Sequence, residues 1–302
     1  MPRLYRYFPL TAGITLALAT SATALYAKTF GDWSLPVSAE TPDSDPSLNT
    51  VFNDGCPILS PDGLSLYMAT NRPDDTPAAD LNIWVARRAT TTSGWGAPER
   101  LPAPINTAAN EYCPTPVRGK RLFFVRAPVG TTNGDILLSR KHKDGYDEPT
   151  LLGSEINTAA QEWSPAYYED DAGNEVLYFS RTGPNGHDIY ASVNYGEAQP
   201  VPELNTPSDD ARPNVRRDGR EIVFDSTRPG TRGGPDLWSA TRETASGPWS
   251  APVHLTDLSS TGSDTRASLS WDGTFLLHGS TRAGSEGLAD IYVSTRSRLT
   301  GQ

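Results

Sequence analysis

Apolar and polar residues alternate along this chain in short runs with a period near two, and helical periodicity appears nowhere after residue 27. Runs such as "LYMATNR" (66–72), "LFFVR" (122–126), "VLYFSR" (176–181), "IVFDSTR" (222–228) and "FLLHGSTR" (275–282) predict strands. Tight turns precede several of them: "SPDG" (60–63), "RRDG" (216–219) and "SWDG" (270–273), where Asp-Gly between apolar runs is a hairpin signal. A Gly/Pro-rich loop follows each run and leads to another: "NIWVARR", "DILLSR", "DIYASV", "DLWSATR" and "DIYVSTR". Four of these are trailed by a short segment with an aromatic and a proline, as in "GWGAPERL" and "GPWSAPVHL". Each unit therefore reads as four antiparallel strands.

The units repeat. "INTAANEYCP" (105–114) and "INTAAQEWSP" (156–165) agree at seven of ten positions, and related stretches begin at Leu48, Leu204 and Leu258, giving spacings of 57, 51, 48 and 54 residues. Repeats of this length, built from four strands, predict the blades of a propeller. The fifth unit lacks its fourth strand, and "GDWSLPVS" (31–38) matches "GPWSAPVH" (247–254) before any first strand begins. The expected fold is all-β: a five-bladed β-propeller, one domain over 28–302, closed by an N-terminal strand that covers both open edges.

The "SPDG" turn, "LYMATNRPDD", "DIYVSTR", "W-S-x-P" and "I-N-T-x-x-x-E-Y" resemble the TolB-type, WD-repeat-like propeller repeats of exported bacterial proteins. The resemblance spans about residues 31–296 and implies an exported propeller, although five repeats depart from the six blades of TolB itself. Residues 1–27 agree with export: Arg3 and Arg6 precede an apolar run over 8–19 and small residues around Ala22, Ala24 and Ala27, the pattern of a signal peptide. The expected location is periplasmic or secreted, with no membrane span in the mature chain.

Composition narrows the partners. The net charge is -10, and loss of the segment carrying Arg3 and Arg6 makes it two charges more negative, which disfavours nucleic acid. Only four of the 26 basic residues are Lys, an excess of the residue that binds carboxylates through two parallel bonds. The repeat places matching acids in all five units (Asp54, Glu111, Glu162, Asp210, Asp264) and an Arg at each second-strand end (Arg72, Arg126, Arg181, Arg228, Arg282). Third strands begin with Asn82, Asp135, Asp188, Asp236 and Asp290. All of these fall on one face, and the primary reading is a repeated structural ion pair.

Five-bladed propellers include glycoside hydrolases with carboxylates around the central cavity, which makes Asp54, Glu111 and Glu162 catalytic candidates, although an acid catalyst needs a raised pKa. The repeat breaks in units two and three: Arg126 and Arg181 come two residues earlier in their strands than the other Arg, a shift of about 7 Å, and Tyr112 and Trp163 follow the acid. Glu111, Tyr112, Arg126, Glu162, Trp163 and Arg181 are thus the candidate ligand-binding set, against the alternative of ordinary packing between blades. Cys56 and Cys113 share one repeat position, and a disulfide between them is left open. No metal spacing, catalytic serine motif or cofactor motif is present, and His278 reads as a core histidine. The expected function is a binding module for a protein, small molecule or oligosaccharide. The alternatives are a hydrolase or lyase acting on a carbohydrate or small molecule in the central cavity, and an assembly scaffold of the cell envelope.

Overall fold

A computed structural model describes residues 29–299 except 42, 74–80, 132 and 185; the expected signal peptide lies outside the described residues. The described residues open with a two-residue strand, β1 (Val37–Ser38). Blade one follows as β2 (Asp54–Leu59), β3 (Ser65–Thr70), β4 (Asn82–Arg87) and β5 (Glu99–Arg100). Blade two comprises β6 (Asn110–Val117), β7 (Arg121–Ala127), β8 (Asp135–His142) and β10 (Thr150–Leu151), with β9 (Gly145–Tyr146) as a side hairpin on β8. Blade three runs through β11 (Glu162–Glu169), β12 (Glu175–Gly183), β13 (Gly186–Val193) and β14 (Gln199–Pro200). Blade four is β15 (Asp210–Val215), β16 (Glu221–Ser226), β17 (Asp236–Thr241) and β18 (Val253–His254). Blade five contributes β19 (Asp264–Leu269), β20 (Phe275–Ser280) and β21 (Asp290–Thr295), and β1 supplies its fourth strand. The molecule is a five-bladed β-propeller of antiparallel sheets, and among the described residues its one helical element is a short 3-10 turn at Arg118–Lys120.

Ring closure is antiparallel, with Val37 opposite Val293 and Ser38 opposite Tyr292. Backbone bonds from Gly31 N to Ser297 O, Ser34 N to Thr295 O and Ala39 N to Ile291 O extend the pairing on both sides of β1. The five first strands, β2, β6, β11, β15 and β19, neighbour one another around the axis. Middle strands are covered by the next blade on both faces, which is why runs such as "LFFV" lose the polar alternation of a half-exposed strand. Each blade interface has its own apolar cluster, for example Phe123, Phe179 and Leu177 between blades two and three, and Met68, Leu277 and Ile291 between five and one.

Candidate active site

The repeated stretch is a lock between blades. Each acid accepts the backbone N–H of the Thr or Ser four residues earlier, and in the first four blades the Thr hydroxyl as well, at 2.5–3.0 Å. The preceding Asn reaches the third strand of the previous blade. Asn106 pairs with both backbone groups of Ile83, Asn157 with Ile136, Asn205 with Ile189 and, across the ring closure, Asn49 with Ile291. A side-chain amide here replaces the strand partner that the backbone of Ile would otherwise lack.

The five Arg complete the lock by two routes. In blades two and three, Arg126 and Arg181 sit directly across the ladder from Glu111 and Glu162, and each Nε reaches its Glu Oε1 at 2.7 Å. In the other blades Thr70, Ser226 and Ser280 occupy that ladder position, and the Arg two residues further on folds back to a shorter Asp: Arg72 to Asp54 at 2.6 Å, Arg228 to Asp210, and Arg282 to Asp264 at 2.7 Å. All five guanidiniums also donate to the carbonyls that enter the loop, such as Ile105, Ile156 and Leu204. The break in the repeat is therefore compensated: Glu goes with the nearer Arg and Asp with the farther one. Asp54, Glu111 and Glu162 have no exposed surface and are each paired.

The first residues of the third strands differ among themselves. Asp236 accepts from Arg232 N at 2.6 Å and pairs with His254 Nε2 at 2.9 Å, and Asp290 accepts from Glu286 N at 2.6 Å. Asn82 accepts from Arg100. Asp135 and Asp188, on blades two and three, accept no hydrogen bond among the described residues and are half-buried. Burial pushes both carboxyls above the usual Asp range; Glu162 adds to this for Asp135, and Asp210 and Asp209 for Asp188, where His187 acts the other way. The strand ladder puts Asp135 opposite Arg126 and Asp188 opposite Arg181, so each extends a row already begun by Glu111 or Glu162.

At the axis every first strand carries a bulge, and the residue there is held at positive φ without being glycine: Cys56 (48°), Cys113 (48°), Ser164 (53°), Arg212 (54°) and Arg266 (59°). Such a conformation is uncommon for residues with a Cβ, and its repetition places five side chains around the channel. Cys56 and Cys113 are joined by a disulfide with Cα atoms 4.9 Å apart, and Ser164 Oγ lies 3.2 Å from Cys113 Sγ. Arg212 grips Asp225 through Nε at 2.7 and 2.9 Å. Arg266 donates to the same Asp only through its backbone N–H, and burial, then Arg212, pull its guanidinium down to about 10. The cavity between these residues measures about 40 Å³ and no carboxylate lines it. That is room for a water or two, far less than a sugar ring needs.

The residues singled out from the sequence lie on this loop face. Tyr112 and Trp163 are mostly buried, at 7% and 8% exposure, and belong to the cluster between blades two and three. Burial raises the pKa of the Tyr112 hydroxyl, with Gln161 and Arg266 acting the other way and Asp135 adding to the rise. Trp163 packs between Arg212, 4.9 Å from the ring centre, and the edge of His187 at 4.8 Å. Sequence reasoning had noted Asp135 and Asp188 as strand starts without separating them from Asp236 and Asp290. The shorter loops that precede them were the available signal. Arg266, Gln161 and His187 were missed: the first two fall on the repeated stretch at positions whose side-chain type varies from blade to blade, and His187 lies outside it.

Fold and face together define a five-bladed propeller with unpartnered carboxyls beside its axial mouth. No protein-family model matches the chain, and no curated protein is similar to it in sequence. Among solved structures it is similar to an endo-arabinanase of glycoside hydrolase family 43 from Bacillus licheniformis (15% identity, 86% of this chain and 97% of that one, TM-score 0.57). It is also similar to an α-L-arabinofuranosidase from Lactobacillus brevis (12%, 87% and 95%, 0.57) and an endo-arabinase from Bacteroides thetaiotaomicron (16%, 87% and 99%, 0.53). At these identities the likeness is one of fold. It corrects the TolB-type, WD-repeat-like resemblance: the structural neighbours are five-bladed glycoside hydrolases. The motifs behind that resemblance encode the hairpin turns and strands of a blade, which propellers of different ring size share. The binding-module expectation is corrected with it, since those neighbours are carbohydrate-cleaving enzymes.

Proposed function

We propose that the chain is a glycoside hydrolase acting on an oligosaccharide at the loop-face mouth of blades two and three. One observation carries the reading: among the described residues Asp135 and Asp188 are the third-strand Asp residues whose carboxyls accept no protein hydrogen bond, and burial raises the pKa of both, as it does for the hydrogen-bonded Asp290. A carboxyl whose hold on its proton is strengthened by burial is suited to protonate a leaving oxygen. We assign the acid role to Asp135 and the water-activating role to Asp188, beside the His187 imidazole, which opposes the upward push of burial, Asp210 and Asp209. In the proposed step the glycosidic C–O bond breaks, Asp135 gives its proton to the departing sugar, and Asp188 takes one from the attacking water. Tyr112 and Trp163 form the floor. The narrow axial cavity supports a site at the mouth instead of within the channel. The Cys56–Cys113 disulfide supports work in an oxidising compartment, the periplasm or outside the cell.

The test is release of reducing ends from tetrasaccharides of arabinan, xylan and galactan. Asp135→Asn and Asp188→Asn should each lower kcat by about 100-fold or more while leaving the melting temperature in place. Turnover that survives both substitutions, or no turnover of any glycan offered, would overturn the proposal.

A further inference from the structure

The opposite face, formed by the hairpin turns, carries a second and larger feature. A cavity of about 620 Å³ lies between the turns of blades five and one, within the range of ligand pockets. Its walls include Arg118, Arg217, Arg298, Trp271, Asp62 and Asp272. Trp271 also lines the narrow space beneath the first strands, so the cavity sits at the far end of the axial channel. A neighbouring cavity of about 430 Å³ shares Arg217, Trp271, Asp272 and Arg298 with it.

The arginines here are used differently from those on the loop face. Arg118 and Arg217 place their guanidiniums 4.9 and 5.1 Å from the centre of the Trp271 ring, and among the described residues neither guanidinium makes a hydrogen bond or an ion pair. Arg298 is anchored through Asp272 O at 2.7 and 3.2 Å. On a chain of net charge -10, where the Arg of every blade lock has an acid of its own, two uncommitted guanidiniums around one indole leave donors for an oxyanion. The acids on the wall have another use. Ser60 and Ser270 donate to Asp62 and Asp272 at 2.6 Å, and those bonds help hold both carboxyls below the usual Asp range, so they stay ionised and accept hydroxyl protons.

A ligand that satisfies this wall carries an anionic group for Arg118 and Arg217, hydroxyls for Asp62 and Asp272, and a ring to lie against Trp271. We infer that the hairpin face is a binding site for an acidic saccharide, carrying carboxylate or sulfate, separate from the loop-face mouth. The inference does not depend on hydrolysis at Asp135 and Asp188.

Isothermal titration calorimetry on the full chain tests it with three probes: tetragalacturonate, a sulfated heparin tetrasaccharide and neutral maltotetraose. At least one acidic probe should bind at least tenfold more tightly than maltotetraose, and which one binds decides between carboxylate and sulfate. Binding should weaken in 0.5 M salt, as expected of partly exposed charges. The double variant Arg118→Gln/Arg217→Gln should lose at least tenfold in affinity with little change in melting temperature, since both guanidiniums are exposed and among the described residues neither makes a hydrogen bond or ion pair. Trp271→Leu should also weaken binding. If neither acidic probe binds, or if the double variant binds as the parent does, the site is not where we place it.

Discussion

Replacing Arg181 with Met removes a charge whose partner has nowhere to go. Glu162 is fully buried, and its bond to Arg181 Nε is 2.7 Å long. After the substitution the carboxylate keeps two donors, Thr158 N at 3.0 Å and Thr158 Oγ1 at 2.6 Å. Breaking one side of a buried pair costs about 3–5 kcal/mol, and two surviving donors place this case near 4, or about 8–16 °C in Tm for a domain of this size. Asp210 is better protected: without Arg228 it retains Thr206 N, Thr206 Oγ1 and Ser226 Oγ. Arg228→Met should therefore cost somewhat less, about 3 kcal/mol. Calorimetry and urea titration at pH 7 measure both, and the double variant Glu162→Gln/Arg181→Met, with no charge left to strand, should recover much of the loss. If Arg181→Met melts within about 2 °C of the parent while hydrolysis collapses, Arg181 serves the substrate and the argument that both Arg spacings do one structural job is refuted.

Three further outcomes follow from the same structure. Blade five should be the acid-sensitive blade: hydrogen bonds from Ser280 and Arg282 help to outweigh burial and hold Asp264 well below the usual range, and burial lowers His278. Both folded-state pKa values are depressed, so this stability is present above the unfolded values and is lost as pH falls, first below about 6.5 for His278; His278→Phe should flatten the urea midpoint between pH 7 and 5. Reducing the Cys56–Cys113 bond, which closes a sequence separation of 57 residues, should remove up to about 4 kcal/mol, read as a lower Tm in reductant or in Cys113→Ser. Deleting residues 29–40 should bare the edge of β21 and lower solubility and the sharpness of melting, and a deletion variant that melts like the parent would contradict the role of β1.

The fold was legible because its signals are local and repeated: turns with Asp-Gly, alternating runs, and a fourth strand missing at one end and surplus at the other. The acid–Arg pairing was also legible, since every blade carries both partners. The equivalence of the two Arg spacings was not, because one shift of two residues is cancelled by another change, Glu for Asp, whose effect depends on the ladder register of Arg126 and Arg181. The axial ring was hidden for a related reason: Cys56, Cys113, Ser164, Arg212 and Arg266 share a backbone conformation and not a side-chain type. Asp135 and Asp188 differ from Asp236 and Asp290 in what their loops leave unbonded, and loop length alone does not say which amide meets a carboxyl. Trp271 and its arginines gather from separate turns across the axis, beyond the reach of spacing.

Blade five joins the beginning and the end of the described chain, and this sets an order of events. A chain emerging from its N-terminus makes β1 first and can use it last, after β21 exists to receive it. Until then four blades form a curved stack with unpaired strands at both ends, and the final pairing closes the largest loop the chain contains, the slowest kind of contact to make. Leu299 N bonds Thr29 O at 2.9 Å, so the two ends of the described residues already touch. Joining them and reopening the chain at the exposed turn around Gly173 would make β1 continuous with β21 and hand the closing step to blade three, leaving the finished ring unchanged but altering how it is reached.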